Sequence, residues 1–198
     1  MRNYAEEFAY WYLRLNGFFI ITDFVLHSKH GDMDVLAVRP PYATEYVKGK
    51  RLEEDEKLVE LVKQSKGDLR KQFTAFIAEV KGGRTKISSK GIAEKFDLES
   101  LKYILRRIGL FDYEYADAFA EDLLNSKWLT IDGTSIHKVL FAYESVFEPS
   151  ETDCFSFVSI EQTVKFIEQR MGLNFKNRDW HLFDSNLIQQ MIHQAAGR

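Results

Sequence analysis

The sequence predicts a mixed α/β domain, one sheet with helices on its faces. Three observations predict it. The apolar periodicity changes along the chain from helical to strand-like and back, in the order helix, three strands, helices, strand, helices. Apolar residues make up 45% and charged residues 29% of the chain, close to the averages for soluble folded proteins. The 198 residues carry no repeat, low-complexity tract or linker, which fits one domain over residues 1–198. A chain of that length buries roughly two thirds of its unfolded surface.

Each element has a local reason. In "NYAEEFAYWYLRLNG", Phe8, Tyr12 and Leu15, with Trp11 alongside, recur at helical spacing. Asn3 and Glu6 resemble a capping box, and Gly17 is a natural stop. "FFIITDFVLH" (Phe18 to His27) is β-branched and aromatic, as a strand requires. "SKHGD" makes a turn, and "MDVLAVRP" a second strand closed by Pro40 and Pro41. Residues 42–72 are rich in both charges, with Leu52, Leu58, Leu61 and Val62 spaced along them, and read as an exposed, charged helical insertion. "TAFIAEVKG" (Thr74 to Gly82) is apolar enough for a central strand.

The basic loop "GRTKISSKG" then leads to a helix capped by Asp97, with Leu98, Leu101, Ile104, Leu105 and Ile108 on its apolar side. "EYADAFAEDLLNSKW" reads as another helix, "SIHKVLFAYES" as a strand and "CFSFVSI" as a further short strand. A C-terminal helical extension covers about 159–198. Its first helix has Ser159 and Gln162 as a capping box and Gly172 as its stop, and "DSNLIQQMIHQ" forms the last.

Composition narrows the function classes. Cys154 is the only cysteine, so neither an intrachain disulfide nor a Cys-based metal site is expected. The N-terminus lacks the pattern of a signal peptide, and no run reaches the roughly 18 apolar residues of a membrane span. The expected location is the cytoplasm, with no membrane partner. A net charge of −3 argues against strong non-specific nucleic-acid binding, while leaving room for a local basic surface.

Two stretches carry chemistry. "HGDMDVLAVRP" puts Asp32 and Asp34 at the mouth of an apolar strand, and "FIAEVKGGR" puts Glu79 and Lys81 on either side of Val80 near the end of another. Alternation on a strand gives Glu79 and Lys81 one face and Val80 the other. If the strands are neighbours, Asp34 and Glu79 converge. Two carboxylates at one place repel unless they share a proton or a cation. A hard cation such as Mg²⁺, with Mn²⁺ as a substitute, suits such oxygen ligands, and the Val80 carbonyl offers one more. Lys81 is then in reach of a bound water, and Glu6 is an accessory acid from the first helix. The same residues have plainer readings. Glu6 fits the N3 place of its capping box, and Asp32 fits a turn. Glu79 with Lys81 fits a same-face ion pair worth about 0–1 kcal/mol.

Together, Glu6 on a helix, "GDMDVLAV" and "AFIAEVKGG" resemble the PD-(D/E)XK, or restriction-endonuclease-like, nuclease superfamily. The similarity leans toward its Holliday-junction-resolvase-like and small uncharacterised bacterial branches. It covers Asn3 to about Lys81 in motif, and to about Tyr143 in element order only. It implies an αβββαβ core with a mixed central sheet flanked by helices. It also implies a metal-dependent nuclease that hydrolyses phosphodiester bonds, in DNA by the same resemblance. Asp34 and Glu79 are then the metal ligands, Lys81 the catalytic lysine and Glu6 the accessory acid, with Glu7 as a weaker substitute and Asp32 outside the ligand set. The 42–72 insertion and the C-terminal helices depart from the minimal pattern.

Arg84, Lys86 and Lys90 follow the motif and are the candidate phosphate contacts, or else a solvated loop. His30, beside the turn, reads as an ornamental turn histidine ahead of a group that assists proton transfer. Phe111, Tyr113 and Tyr115 mark either a core edge or an interface for a homodimer or an assembly partner. The competing reading is a non-catalytic scaffold of the same fold, or a subunit of a restriction, defence or DNA-repair assembly.

Overall fold

The computed structural model describes residues 3–26, 32–47 and 49–174. Its elements are α1 (Tyr4–Leu15), β1 (Phe19–Phe24), β2 (Met33–Arg39), β3 (Tyr46–Val47), β4 (Lys50–Arg51), α2 (Glu56–Gln64), β5 (Phe73–Lys81), α3 (Ser89–Ala93), α4 (Leu98–Ile108), α5 (Ala116–Leu124), β6 (Trp128–Ile131), β7 (Thr134–Ala142), β8 (Ser156–Ser159) and α6 (Ile160–Asn174). Short 3-10 turns cover Glu94–Phe96 and Tyr113–Tyr115.

The architecture is α/β, a six-stranded mixed sheet flanked by six α-helices among the described residues. The strand order is β1-β2-β5-β7-β6, with β8 also on β7. β2 is antiparallel to both its neighbours, β1 and β5, whereas β5 and β7 run parallel, as do β7 and β8. The far edge of β7 is divided: β6 pairs with Thr134 to His137 and β8 with Val139 to Ala142.

Period-2 alternation sorts the strands onto two cores. Val35, Ala37, Phe76, Ala78, Val80, Val139 and Phe141 face α1, α2 and α6. Leu36, Ala75, Ile77, Ile136 and Leu140 face α3, α4 and α5. The central strands are covered on both sides, which is why β5 reads as an almost unbroken apolar run. No helix among the described residues is long and apolar enough to cross a membrane.

Several expected local signals appear as drawn. Asn3 and Glu6 form a full capping box. The Asp97 side chain caps α4, which ends on Gly109 in the left-handed region at φ 68°. Other expectations need correction. The helix expected to reach Trp128 stops at Leu124, and Trp128 opens β6. Asp132 and Gly133, with φ of 45° and 76°, make the tight turn from β6 to β7. An Asp-Gly pair with both φ values positive is the chemistry of a two-residue hairpin turn. α6 continues through Gly172 to Asn174. A helix tolerates an interior glycine for about 1 kcal/mol. The Gln162 N–H reaches Ser159 Oγ at 3.1 Å, but its side chain donates to Asp55 and Tyr12 instead of closing a box. The last expected helix, in "DSNLIQQMIHQ", and His30 lie outside the described residues.

The largest correction concerns residues 42–72. They are neither wholly helical nor wholly exposed. A small β3/β4 hairpin precedes α2, and Leu58, Leu61 and Val62 of α2 are buried in the main core. Four charges anchor the segment. Arg39, fully buried at the end of β2, donates to Glu54 Oε1 at 2.8 Å, to Asn16 O at 2.9 Å, and to the carbonyls of Leu69 and Ala43. Arg51 and Arg70 flank the second Glu54 oxygen at 3.3 and 3.0 Å. Three apolar positions on one helical stripe suffice to dock α2, and the charge-rich composition conceals them.

Candidate metal and catalytic site

Asp34 is the second residue of β2, where β2 meets the C-terminal end of β5. The ladder pairs Val35 with Ala78, and its continuation sets Asp34 opposite Glu79. By alternation Asp34, Glu79 and Lys81 share the face that carries Leu36 and Ile77, under α3 to α5, while Val80 is buried on the other face. Asp34 Oδ2 accepts the Val80 N–H at 2.7 Å. The Lys81 amine donates to Glu79 Oε1, forming an ion pair with one buried partner and one half-exposed partner. Glu79 itself is only 1% exposed.

The electrostatics follow from this crowding. Burial first, and the neighbouring Glu79 charge second, push the Asp34 carboxyl up to about 6. The Val80 N–H, Lys81 and Lys95 act in the opposite direction. Glu79 Oε2 is buried and has no hydrogen-bond partner among the described residues. A buried carboxylate oxygen without a donor is costly, and it calls for a cation, a proton or a water. Two hard oxygen donors from adjacent strands, one of them unpartnered, fit a divalent cation that keeps several waters. Among the described residues no group of three or more His, Cys, Asp or Glu side chains is arranged to hold a metal. A cation here rests on the Asp34–Glu79 pair, with backbone, water and substrate oxygens for the rest.

The structure brings Asp34, Glu79 and Lys81 together, with the Val80 backbone between the last two. It does not bring Glu6 into that group. Glu6 lies on α1, which covers the opposite face, and both its carboxylate oxygens accept from Asn3 in the capping box. The N-terminal turn of α1 does abut the end of β5. A Cβ on Gly82 would stand 2.9 Å from the Ala5 Cβ and 3.1 Å from Asn3 Oδ1, so only glycine permits this approach. Asp32 is exposed just before β2. Arg84, Lys86 and Lys90 are all exposed, on the loop after Lys81 and the first turn of α3. That loop is tied down by the Ile87 N–H, which donates to Val146 O at 3.0 Å. Tyr113 and Tyr115 are exposed, whereas Phe111 packs edge-on against Phe119.

Sequence reasoning missed Lys95. It sits in the 3-10 turn between two buried anchors, Ile92 and Phe96, and its charge acts on Asp34. The available signal was a lysine beside buried apolar positions just after the motif, which is indistinguishable from a solvated lysine until the turn is placed. His137 is a core histidine. Burial drives its pKa down to about 3, and it bonds Ser135 Oγ at 3.0 Å. Comparison with protein-family models, with curated proteins and with solved structures finds no match to this chain.

Proposed function

We propose that the protein is a metal-dependent nuclease of the PD-(D/E)XK type, acting on phosphodiester bonds in DNA. The observation that carries the reading is the convergence of Asp34 and Glu79 from adjacent strands with Lys81 on the same face, around a buried carboxylate oxygen that has no donor among the described residues. The element order supports it. A helix, three antiparallel strands, a helical segment and a fourth strand parallel to the third match the αβββαβ core of that superfamily.

In this reading Asp34 and Glu79 hold Mg²⁺, or Mn²⁺ as a substitute. Such an ion supplies Lewis-acid polarisation of the phosphoryl group and a water of lowered pKa. The Val80 N–H fixes the Asp34 carboxylate in place. Lys81 neutralises Glu79 when substrate is absent and is positioned to donate to a phosphate oxygen or to orient the attacking water. Arg84, Lys86 and Lys90 extend a basic edge from the site for the flanking phosphates. Lys95 adds a second cation beside Asp34.

The test is cleavage of supercoiled plasmid and of a branched oligonucleotide with Mg²⁺, Mn²⁺ or EDTA, beside Glu79→Ala. Metal-dependent cutting that falls by roughly 10²-fold or more in the variant is expected, the scale of losing one transition-state stabiliser. Cutting at the parental rate by folded Glu79→Ala refutes the site. Absence of cutting by the folded parent under every condition favours the scaffold or subunit reading instead.

A further inference from the structure

The divided edge of β7 leaves a notch. β6 begins at Trp128 opposite His137, β8 begins at Ser156 opposite Val139, and Lys138 lies between them with its N–H donated to Lys127 O at 2.9 Å. A cavity of 340 Å³ opens at this notch, walled by α2, the lead-in to β6, and the starts of β8 and α6. It lies on the α2/α6 face of the sheet, opposite Asp34 and Glu79, because Ser156 shares the row and face of Val139.

We propose that this notch binds a small phosphomonoester. Lys57 and Lys127 line it from two different elements, and neither is in an ion pair among the described residues. Gln64 adds an amide from α2. Ser156 is 8% exposed, and its buried hydroxyl has no hydrogen-bond partner among the described residues. A buried hydroxyl and two lysines that line one cavity, all without partners among the described residues, suit a tetrahedral oxyanion, which accepts from several directions at once. Leu61, Val158 and Pro149 supply an apolar wall for the body of the ligand, and the volume suits a small molecule. Glu60 lines the same cavity. One acid among two lysines tolerates a single phosphoryl group and opposes a polyanion, so the notch is not an extension of a nucleic-acid track.

The test uses phenyl phosphate, with inorganic phosphate as the headgroup alone, titrated by calorimetry at constant ionic strength. Saturable binding is expected, tighter for phenyl phosphate. Lys127→Ala and Lys57→Ala each weaken it by about tenfold, the scale of one charge-assisted contact. Glu60→Gln tightens it several-fold, a gain that damage to the fold does not produce. Asp34→Asn and Glu79→Ala leave it unchanged, which separates this site from the metal site and keeps the inference independent of the nuclease reading. Absence of saturable binding overturns the proposal. So does affinity indifferent to Lys57, Lys127 and Glu60, or affinity that disappears with Glu79→Ala.

Discussion

Asp34→Asn is expected to make the metal-free protein more stable while it removes one ligand of the proposed metal site. Asparagine keeps an oxygen that accepts the Val80 N–H, so the change isolates the charge. In the folded protein the Asp34 carboxyl is raised from 3.8 to about 6, chiefly by burial and then by Glu79. Each pKa unit is about 1.4 kcal/mol, so the ionised carboxylate costs the fold up to ~3 kcal/mol. The sign follows from linkage. A carboxyl whose pKa is raised on folding stabilises the fold in its protonated form. That contribution is complete below about pH 4 and is lost as pH rises through about 6. The variant therefore gains little at pH 4 and most at pH 8. There it should melt up to roughly 6–12 °C above the parent, given about 2–4 °C per kcal/mol for a chain of this size. Urea denaturation of both proteins from pH 4 to pH 8 measures the gap directly. Mg²⁺ should raise the parent's melting temperature at pH 8 and leave the variant's unchanged. A variant less stable than the parent at pH 8, with a gap that ignores pH, refutes the argument that Asp34 is held charged against burial and Glu79.

Three other outcomes are expected. Glu54→Ala should lose about 3–5 kcal/mol in chemical denaturation, since it strands the fully buried Arg39; a loss under 1 kcal/mol would show that the 42–72 segment docks without that charge. Glu6→Gln keeps an acceptor for the Asn3 N–H and preserves the cap, so cleavage should stay within about fivefold of the parent, whereas a loss near that of Glu79→Ala would place Glu6 in the chemistry. Burial holds Lys138 down to about 8 against an ordinary 10.5. Between those values the unfolded chain binds more protons, so stability climbs as pH rises from 8 toward 10.5, and Lys138→Met should flatten that climb in denaturation curves.

Much of the sheet was legible because burial on both faces leaves an unmistakable mark. β5 is an almost unbroken apolar run, β7 is one from Val139 to Ala142, and β2 is one from Val35 to Val38. The catalytic candidates were legible for the converse reason. Asp34 and Glu79 break such runs, and a charge inside an apolar strand needs a partner. What stayed hidden depends on partners distant in sequence. Arg39 looks like an exposed strand end until Glu54, fifteen residues on, accepts from it inside the core. Lys95 looks solvated until the 3-10 turn carries it toward Asp34. The β6 strand was masked because its four residues follow a helix after only three others, and only the Asp132–Gly133 pair marked the hairpin. Glu6 shows the limit of motif reading. The residue that suits an accessory acid also suits a helix cap, and the hydrogen bonds to Asn3 belong to the cap.

The pair of carboxylates is also an argument against an idle scaffold. Nothing in the fold requires them. Apart from buried Lys138 on β7, their face of the sheet is lined by Leu36, Ala75, Ile77 and Leu140, and an apolar residue at position 79 would pack there without leaving an oxygen that lacks a partner among the described residues. Replacing a buried ion pair by apolar residues is commonly neutral or stabilising. Lys81 relieves one oxygen of Glu79, and the Val80 N–H relieves one oxygen of Asp34; the remaining repulsion is left in place. A fold that retains a local cost of this kind at the open end of two adjacent strands, beside exposed Arg84, Lys86 and Lys90, has the stability deficit that a site poised for a cation would carry. The Asp34→Asn measurement reads that deficit without depending on catalysis, so it separates a strained site from an inert one even if the right substrate has not been offered.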